Sequence, residues 1–221
     1  MKAHGNQRKE YLNASKIVST LQTLVIPTTQ DEVISHPGTE EAQQEYESFT
    51  SHMAFTIFFA TSTGKTEDVA DRLKELIPGT EAKDVDNISS IDELVSAEQL
   101  ICCIPTWNTG AEEARSGTAW DDLIQEIPDK DFAGKAVAIV GLGDSSGYGD
   151  YFCDAMEELY TAFLQSGAKL IGEVSTEGYT FDESKSVIDG KFCGLAIDED
   201  NESELTDQRL SAWIQQINSE A

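Results

Sequence analysis

Ala54-Phe55-Thr56-Ile57-Phe58-Phe59-Ala60 runs straight into Thr61-Ser62-Thr63-Gly64-Lys65-Thr66, and this junction decides the fold. Its first half is a near-continuous apolar run, the pattern of a strand buried on both faces. Its second half is a loop of hydroxyls and one glycine that opens a helix: Val69, Leu73 and Leu76 follow at helical spacing, and Pro78-Gly79 stops it. Such a loop offers backbone N–H groups, hydroxyl donors and a positive dipole end to one phosphate group. An ordinary Ser/Thr-capped helix has the same local pattern, so the loop alone does not decide function. A Walker A loop would need glycine where Phe59 stands, which argues against a nucleoside triphosphate.

Downstream, strands and helices alternate. Strands are expected near Thr80–Val85, Leu100–Ile104, Ala136–Val140 and Leu170–Val174. Helices are expected near Ser90–Ala97 and Trp120–Ile127, through Phe152, Met156, Leu159 and Phe163, and through Leu210, Trp213, Ile214 and Ile217. The polar stretch Ser175–Lys191 separates the last of these strands from a second strand-like run, Phe192–Ile197, and reads as an insertion. Five βα units give an α/β, doubly wound parallel sheet with helices on both faces, over residues 53–221. In such sheets ligands lie beyond the carboxyl ends of the strands, so the loops after strands one, three and four matter most.

Residues 1–52 read as an extension. The first thirty carry Lys2, Arg8, Lys9 and Lys16 against Glu10 alone and put Ala14, Ile17, Val18, Leu21, Leu24 and Val25 on one helical face. This resembles an organelle transit peptide, although a frayed terminal helix or a misassigned start fits the same residues. Asp31, Glu32, Glu40, Glu41, Glu45 and Glu47, with no Lys or Arg among them, then form a solvated linker.

The 221 residues, 39% of them hydrophobic, suffice for one good core with a tail to spare. Fifteen Lys and Arg against 41 Asp and Glu give a net charge of −26, which makes nucleic acid and anionic membranes poor partners. No apolar run reaches the roughly 18–20 residues of a membrane span, so no membrane insertion is expected. Cys102, Cys103, Cys153 and Cys193 form no CxxC pair, and the adjacent Cys102 and Cys103, inside an apolar run, read as small buried hydrophobes; neither a disulfide framework nor a structural zinc site is expected. His4, His36 and His52 all precede residue 53, so histidine chemistry is excluded downstream.

Strand three is followed by Pro105-Thr106-Trp107-Asn108-Thr109-Gly110, and strand four by Gly141-Leu142-Gly143-Asp144-Ser145-Ser146-Gly147-Tyr148-Gly149-Asp150. Each loop carries one large aromatic among glycines and small polar residues, and two such rings on neighbouring loops can sandwich a planar ring system. Trp107 anchoring its own loop and Tyr148 lying on the surface is the plainer alternative. The dinucleotide fingerprint GxGxxG fails because Ser146 replaces its third glycine.

With these motifs, and with PTWNTG, GLGDSSGYGDYFCDA and the interrupted fifth strand, residues 53–221 resemble a flavodoxin of the long-chain, algal-like type. The resemblance implies a sheet of order 2-1-3-4-5, one noncovalent FMN, no enzymatic activity and single-electron transfer. It implies that Thr61, Ser62, Thr63, Gly64, Lys65 and Thr66 hold the phosphate, that Trp107 and Tyr148 flank the flavin, and that the Asn108–Thr109 peptide faces flavin N5. Asp144 would sit near the pyrimidine edge, and Pro105, Thr106, Gly110, Gly141, Gly143, Asp150 and Phe152 complete the set. Two departures stand out: Lys65 where Asn is frequent, and a longer Gly110–Trp120 segment.

The implied partners are basic redox proteins such as ferredoxin-NADP reductase and photosystem I, with the chain a monomer that replaces ferredoxin when iron is limiting. Its location would be the plastid stroma if the extension is a transit peptide and the cytoplasm otherwise. Asp198-Glu199-Asp200, Asp121-Asp122 and Asp182-Glu183 are candidate steering charges, with a plain solvated face as the alternative. A flavodoxin-like NAD(P)H:quinone oxidoreductase is the rival function. A phosphoacceptor signalling domain is discarded, since the required acids read Thr61-Ser62 and Pro105-Thr106.

Overall fold

A computed structural model describes residues 55–221. The residues read as an N-terminal amphipathic helix and an acidic linker, and the three histidines, therefore lie outside the described residues. The strands are β1 (Phe55–Phe59), β2 (Glu81–Asp84), β3 (Gln99–Pro105), β4 (Ala136–Leu142), β5 (Lys169–Ile171), β6 (Val174–Ser175), β7 (Val187–Ile188), β8 (Lys191–Phe192) and β9 (Leu195–Ile197). The helices are α1 (Lys65–Leu76), α2 (Asp92–Ser96), α3 (Trp120–Glu126), α4 (Ala155–Gln165) and α5 (Thr206–Glu220). The main sheet is parallel, in the expected order β2-β1-β3-β4-β5.

Side chains alternate across a strand, and here the alternation fills two cores. Phe55, Ile57 and Phe59 of β1 pack with Val69, Ala70 and Leu73 of α1 and with Leu210, Trp213, Ile214 and Ile217 of α5. Phe58 joins the opposite core with Leu94 of α2, Trp120 of α3 and Met156, Leu159 and Phe163 of α4. Because neighbours on a strand face opposite ways, Cys102 and Cys103 enter different cores, both fully buried. Burial pushes both thiols well above their ordinary range, which removes them as nucleophiles.

The fifth strand position is filled in two pieces. β5 pairs with Ala136–Ala138 of β4, and β9 pairs with Val140–Leu142. The stretch read as a polar insertion is a small antiparallel sheet of order β6-β8-β7. Tyr179, Phe181 and Phe192 give it a core, and the ring of Phe192 meets Tyr179 edge-on at 5.1 Å. Strands of two residues are too short to show any period, so the sequence pattern misses them.

Phe152, read above as part of the fourth helix, needs correcting. It precedes α4, and its side chain is buried in the aromatic cluster, with its ring 5.7 Å from Phe181 and stacked on it.

Candidate functional site

The loops after β1, β3 and β4 all leave the carboxyl edge of the sheet, the edge at which open α/β sheets bind ligands where the strand order reverses. The first is a tight turn: Gly64 N–H donates to Thr61 Oγ1 at 2.9 Å, and Gly64 takes φ 92°, leaving α1 with no side-chain cap. Ser62 and Thr63 are exposed, whereas Thr66 turns inward and is buried. The leading N–H groups of an uncapped helix await an acceptor, and an anion suits them. Lys65 is ion-paired with Asp200 at the surface.

Gly64→Ala meets no steric obstacle, since nothing lies within 4 Å of the added carbon. Its cost is therefore that of a left-handed backbone, about 1–2 kcal/mol. Urea denaturation is expected to show a loss of this size.

The β3 loop presents Trp107 at 48% exposure, so the indole does not anchor the loop in the core. Pro105 ends β3 and is buried, Asn108 and Gly110 are exposed, and Thr109 is half-buried. Thr106 Oγ1 accepts from the N–H of Ala155 at 3.1 Å and so caps α4. Asn108 is more than a turn residue: its Nδ2 donates to Ala114 O at 2.6 Å.

On the β4 loop Tyr148 is 55% exposed. Gly141 and Gly143 serve packing, because a side chain would meet Met156 at Gly141 and the Cys153 backbone nitrogen at Gly143. Gly141 lies within β4, which runs past the expected Val140 to Leu142. Asp150 is exposed in a 3₁₀ turn. Asp144 Oδ1 accepts from Gly147 N–H at 2.7 Å, Ser146 N–H at 3.1 Å and Asn201 Nδ2 at 2.8 Å. These bonds, the Gly147 one above all, hold its carboxyl below the usual range.

A family model described as Flavodoxin matches residues 57–213. The chain belongs to the flavodoxin family. It is 43% identical over 166 residues to the flavodoxin of Nostoc sp., covering 74% of this chain and 95% of that one. To flavodoxin 1 of Escherichia coli it is 40% identical over 172 residues, covering 76% and 95%. The Fusobacterium nucleatum flavodoxin bound to flavin mononucleotide matches with a TM-score of 0.69 at 34% identity, over 76% of this chain and 98% of that one.

In this flavodoxin-family chain a fourth loop, after β9, joins this edge, and it corrects the reading of Asp198 as a steering charge, while Asp200 stays exposed. Asp198 is fully buried. Its Oδ2 accepts from Ser145 N–H at 3.0 Å and Ser145 Oγ at 2.6 Å, and its Oδ1 from the N–H groups of Asp200 and Asn201 at 3.0 and 2.9 Å. Burial alone would raise its pKa, but the bonds from Ser145 and Asn201 outweigh it and the net shift is downward. Glu199 turns to Arg72 and Thr206, and Asp200 to Lys65. The 198–201 turn thus links the tyrosine loop to the α1 loop. Its sequence signal was position: Asp198 directly follows the apolar strand Leu195–Ile197, at a carboxyl end.

Asp121 also turns to its own chain, accepting from Ser116 N–H at 3.1 Å and Gly117 N–H at 2.9 Å, whereas Asp122, Asp182 and Glu183 remain exposed. Among the described residues no helix is long and apolar enough to cross a membrane.

Proposed function

We propose that the chain is a one-electron carrier holding one FMN without a covalent bond, its phosphate at the head of α1 and its ring between Trp107 and Tyr148. The observation that carries this reading is two large aromatics, about half exposed on neighbouring loops, beside an uncapped helix N-terminus. The residues fit the group: Gly64 leaves open space, Ser62 and Thr63 offer exposed hydroxyls, and α1 begins without a side-chain cap, so backbone N–H groups and hydroxyls are there to hold the phosphate. The FMN-bound Fusobacterium nucleatum relative supports the choice of ligand.

Bound FMN would supply the group that takes up and gives off single electrons. The chain's part is to stack the ring, exclude water from its faces and surround it with negative charge. Asp144 sits on the tyrosine loop itself, where Tyr148 N–H donates to its backbone oxygen at 3.0 Å. A carboxylate held ionised there raises the energy of adding further negative charge.

The visible spectrum of the purified protein tests this directly. Flavin bands, with FMN released on denaturation, are the expected result; FAD, or no flavin after incubation with FMN, overturns it. The rival quinone reductase needs an open pocket over the ring, which Tyr148 would cover. Steady-state NAD(P)H oxidation with a quinone and no added reductase is expected to stay at the level of free FMN.

Four basic and seven acidic residues precede Met53, leaving 11 basic against 34 acidic in the remainder. This charge suits a basic redox partner such as ferredoxin-NADP reductase or photosystem I, met by a monomer. Transfer to a basic reductase is expected to slow as salt rises, because the Debye length falls from about 30 Å at 0.01 M to about 10 Å at 0.1 M. A flat stopped-flow profile across that range would point to nonelectrostatic docking.

Residues 1–52 are proposed to be a plastid transit peptide and linker ahead of an FMN domain over 53–221. Deleting them is expected to leave FMN affinity unchanged by fluorescence titration.

A further inference from the structure

The Gly110–Trp120 segment doubles back onto the turn that carries Trp107. Its return point is Arg115, 4% exposed, whose carbonyl oxygen accepts from the N–H groups of both Trp107 and Asn108 at 3.0 Å. That carbonyl is in turn held by α4. Glu158 accepts from the N–H of Ala114 through Oε1 and from the N–H of Arg115 through Oε2, each at 2.9 Å. Arg115 Nη2 donates to Glu157, and Nε lies 3.2 Å from Glu158 Oε2, an ion pair without hydrogen-bond geometry. The Glu158 side chain is 9% exposed, so the clamp is largely shielded from water. Ala114 takes φ 56°, a strained conformation for alanine that surrounding contacts must hold. Its carbonyl receives the Asn108 amide.

We propose that Arg115 and Glu158 are positioning residues for the flavin site, fixing from α4 the pose of the Trp107 indole and of the Asn108–Thr109 peptide. The proposal rests on the FMN reading but concerns a different part of the molecule: neither side chain needs to touch the ring. Three links carry the effect in series: Glu158 grips the 114–115 backbone, Arg115 locks onto Glu157 and Glu158, and the Arg115 carbonyl fixes the two amides that orient the turn. A buried guanidinium between two carboxylates resists displacement, because moving either partner leaves a buried charge uncompensated. Merely filling space would require none of this directionality.

The test uses the full chain and the variants Glu158→Gln, Arg115→Met and Arg115→Lys. Acrylamide quenching of the FMN-free protein reads Trp107 selectively, since the other two tryptophans, Trp120 and Trp213, are buried. Glu158→Gln and Arg115→Met are expected to increase quenching, raise the FMN dissociation constant about tenfold, the worth of one charge-assisted hydrogen bond, and shift the first-electron midpoint. Arg115→Lys, which keeps the charge but not the fork, should recover part of each loss.

Folded variants with lowered melting temperature but unchanged quenching, FMN affinity and midpoint would overturn the proposal and leave the pair a structural one. If Arg115→Met fails to fold, the near-isosteric Glu158→Gln decides. A wild-type chain that takes up no FMN would instead sink the functional reading, while the quenching comparison would still report on the brace.

Discussion

Asp198→Ala is expected to lower stability by about 2–4 kcal/mol, the largest single-residue effect at this edge of the sheet. The buried carboxylate is the common acceptor for Ser145, Asp200 and Asn201, and alanine leaves their donors without a partner. Asp200 and Asn201 are exposed and can turn to water, which keeps the loss below the sum of the bonds. Asp198→Asn retains one acceptor oxygen and should lose about half as much.

The pH dependence follows from the downward shifts. Asp198 and Asp144 both have folded pKa values below those of the unfolded chain, so the stability they contribute is present above the unfolded Asp pKa of about 3.9 and is lost as pH falls through the folded values. Acid unfolding followed by circular dichroism should therefore be shallower in Asp198→Asn than in wild type. Equal acid limbs, with no stability difference at neutral pH, would show that the network contributes nothing.

Trp107→Ala and Tyr148→Ala are each expected to weaken FMN binding by about 1–3 kcal/mol, some 5- to 150-fold in dissociation constant. The magnitude rests on the loss of one stacked face, and the exposure of both rings means that little stability goes with it: neither side chain belongs to the core. Fluorescence titration with FMN, alongside urea denaturation of the apoprotein, separates the two quantities. Unchanged affinity in both variants would mean that the rings do not form the sandwich. The double variant need not be additive, because a flavin released on one side can tilt against the other wall.

Much of this architecture is written in local pattern. The alternation of doubly buried strands with helical spacing led to the parallel sheet, and the hydroxyl-glycine turn after β1 and the aromatics on the loops after β3 and β4 led to the candidate site. These signals span a few residues, because side-chain periodicity and turn chemistry are short-range properties of the chain. Even the split fifth strand was legible, as two apolar runs on either side of a polar stretch.

What lay beyond local pattern was the partner of each polar group. Asp198, read as one charge in an acidic run, is buried because Ser145, 53 residues earlier, and its own turn satisfy it. Arg115 and Phe152 likewise take their roles from α4 and from the small sheet. A charge or a ring carries the same local signal whether it faces water or a distant partner. Burial is decided only when the chain closes, since a buried polar group is tolerable only once long-range bonds replace its water.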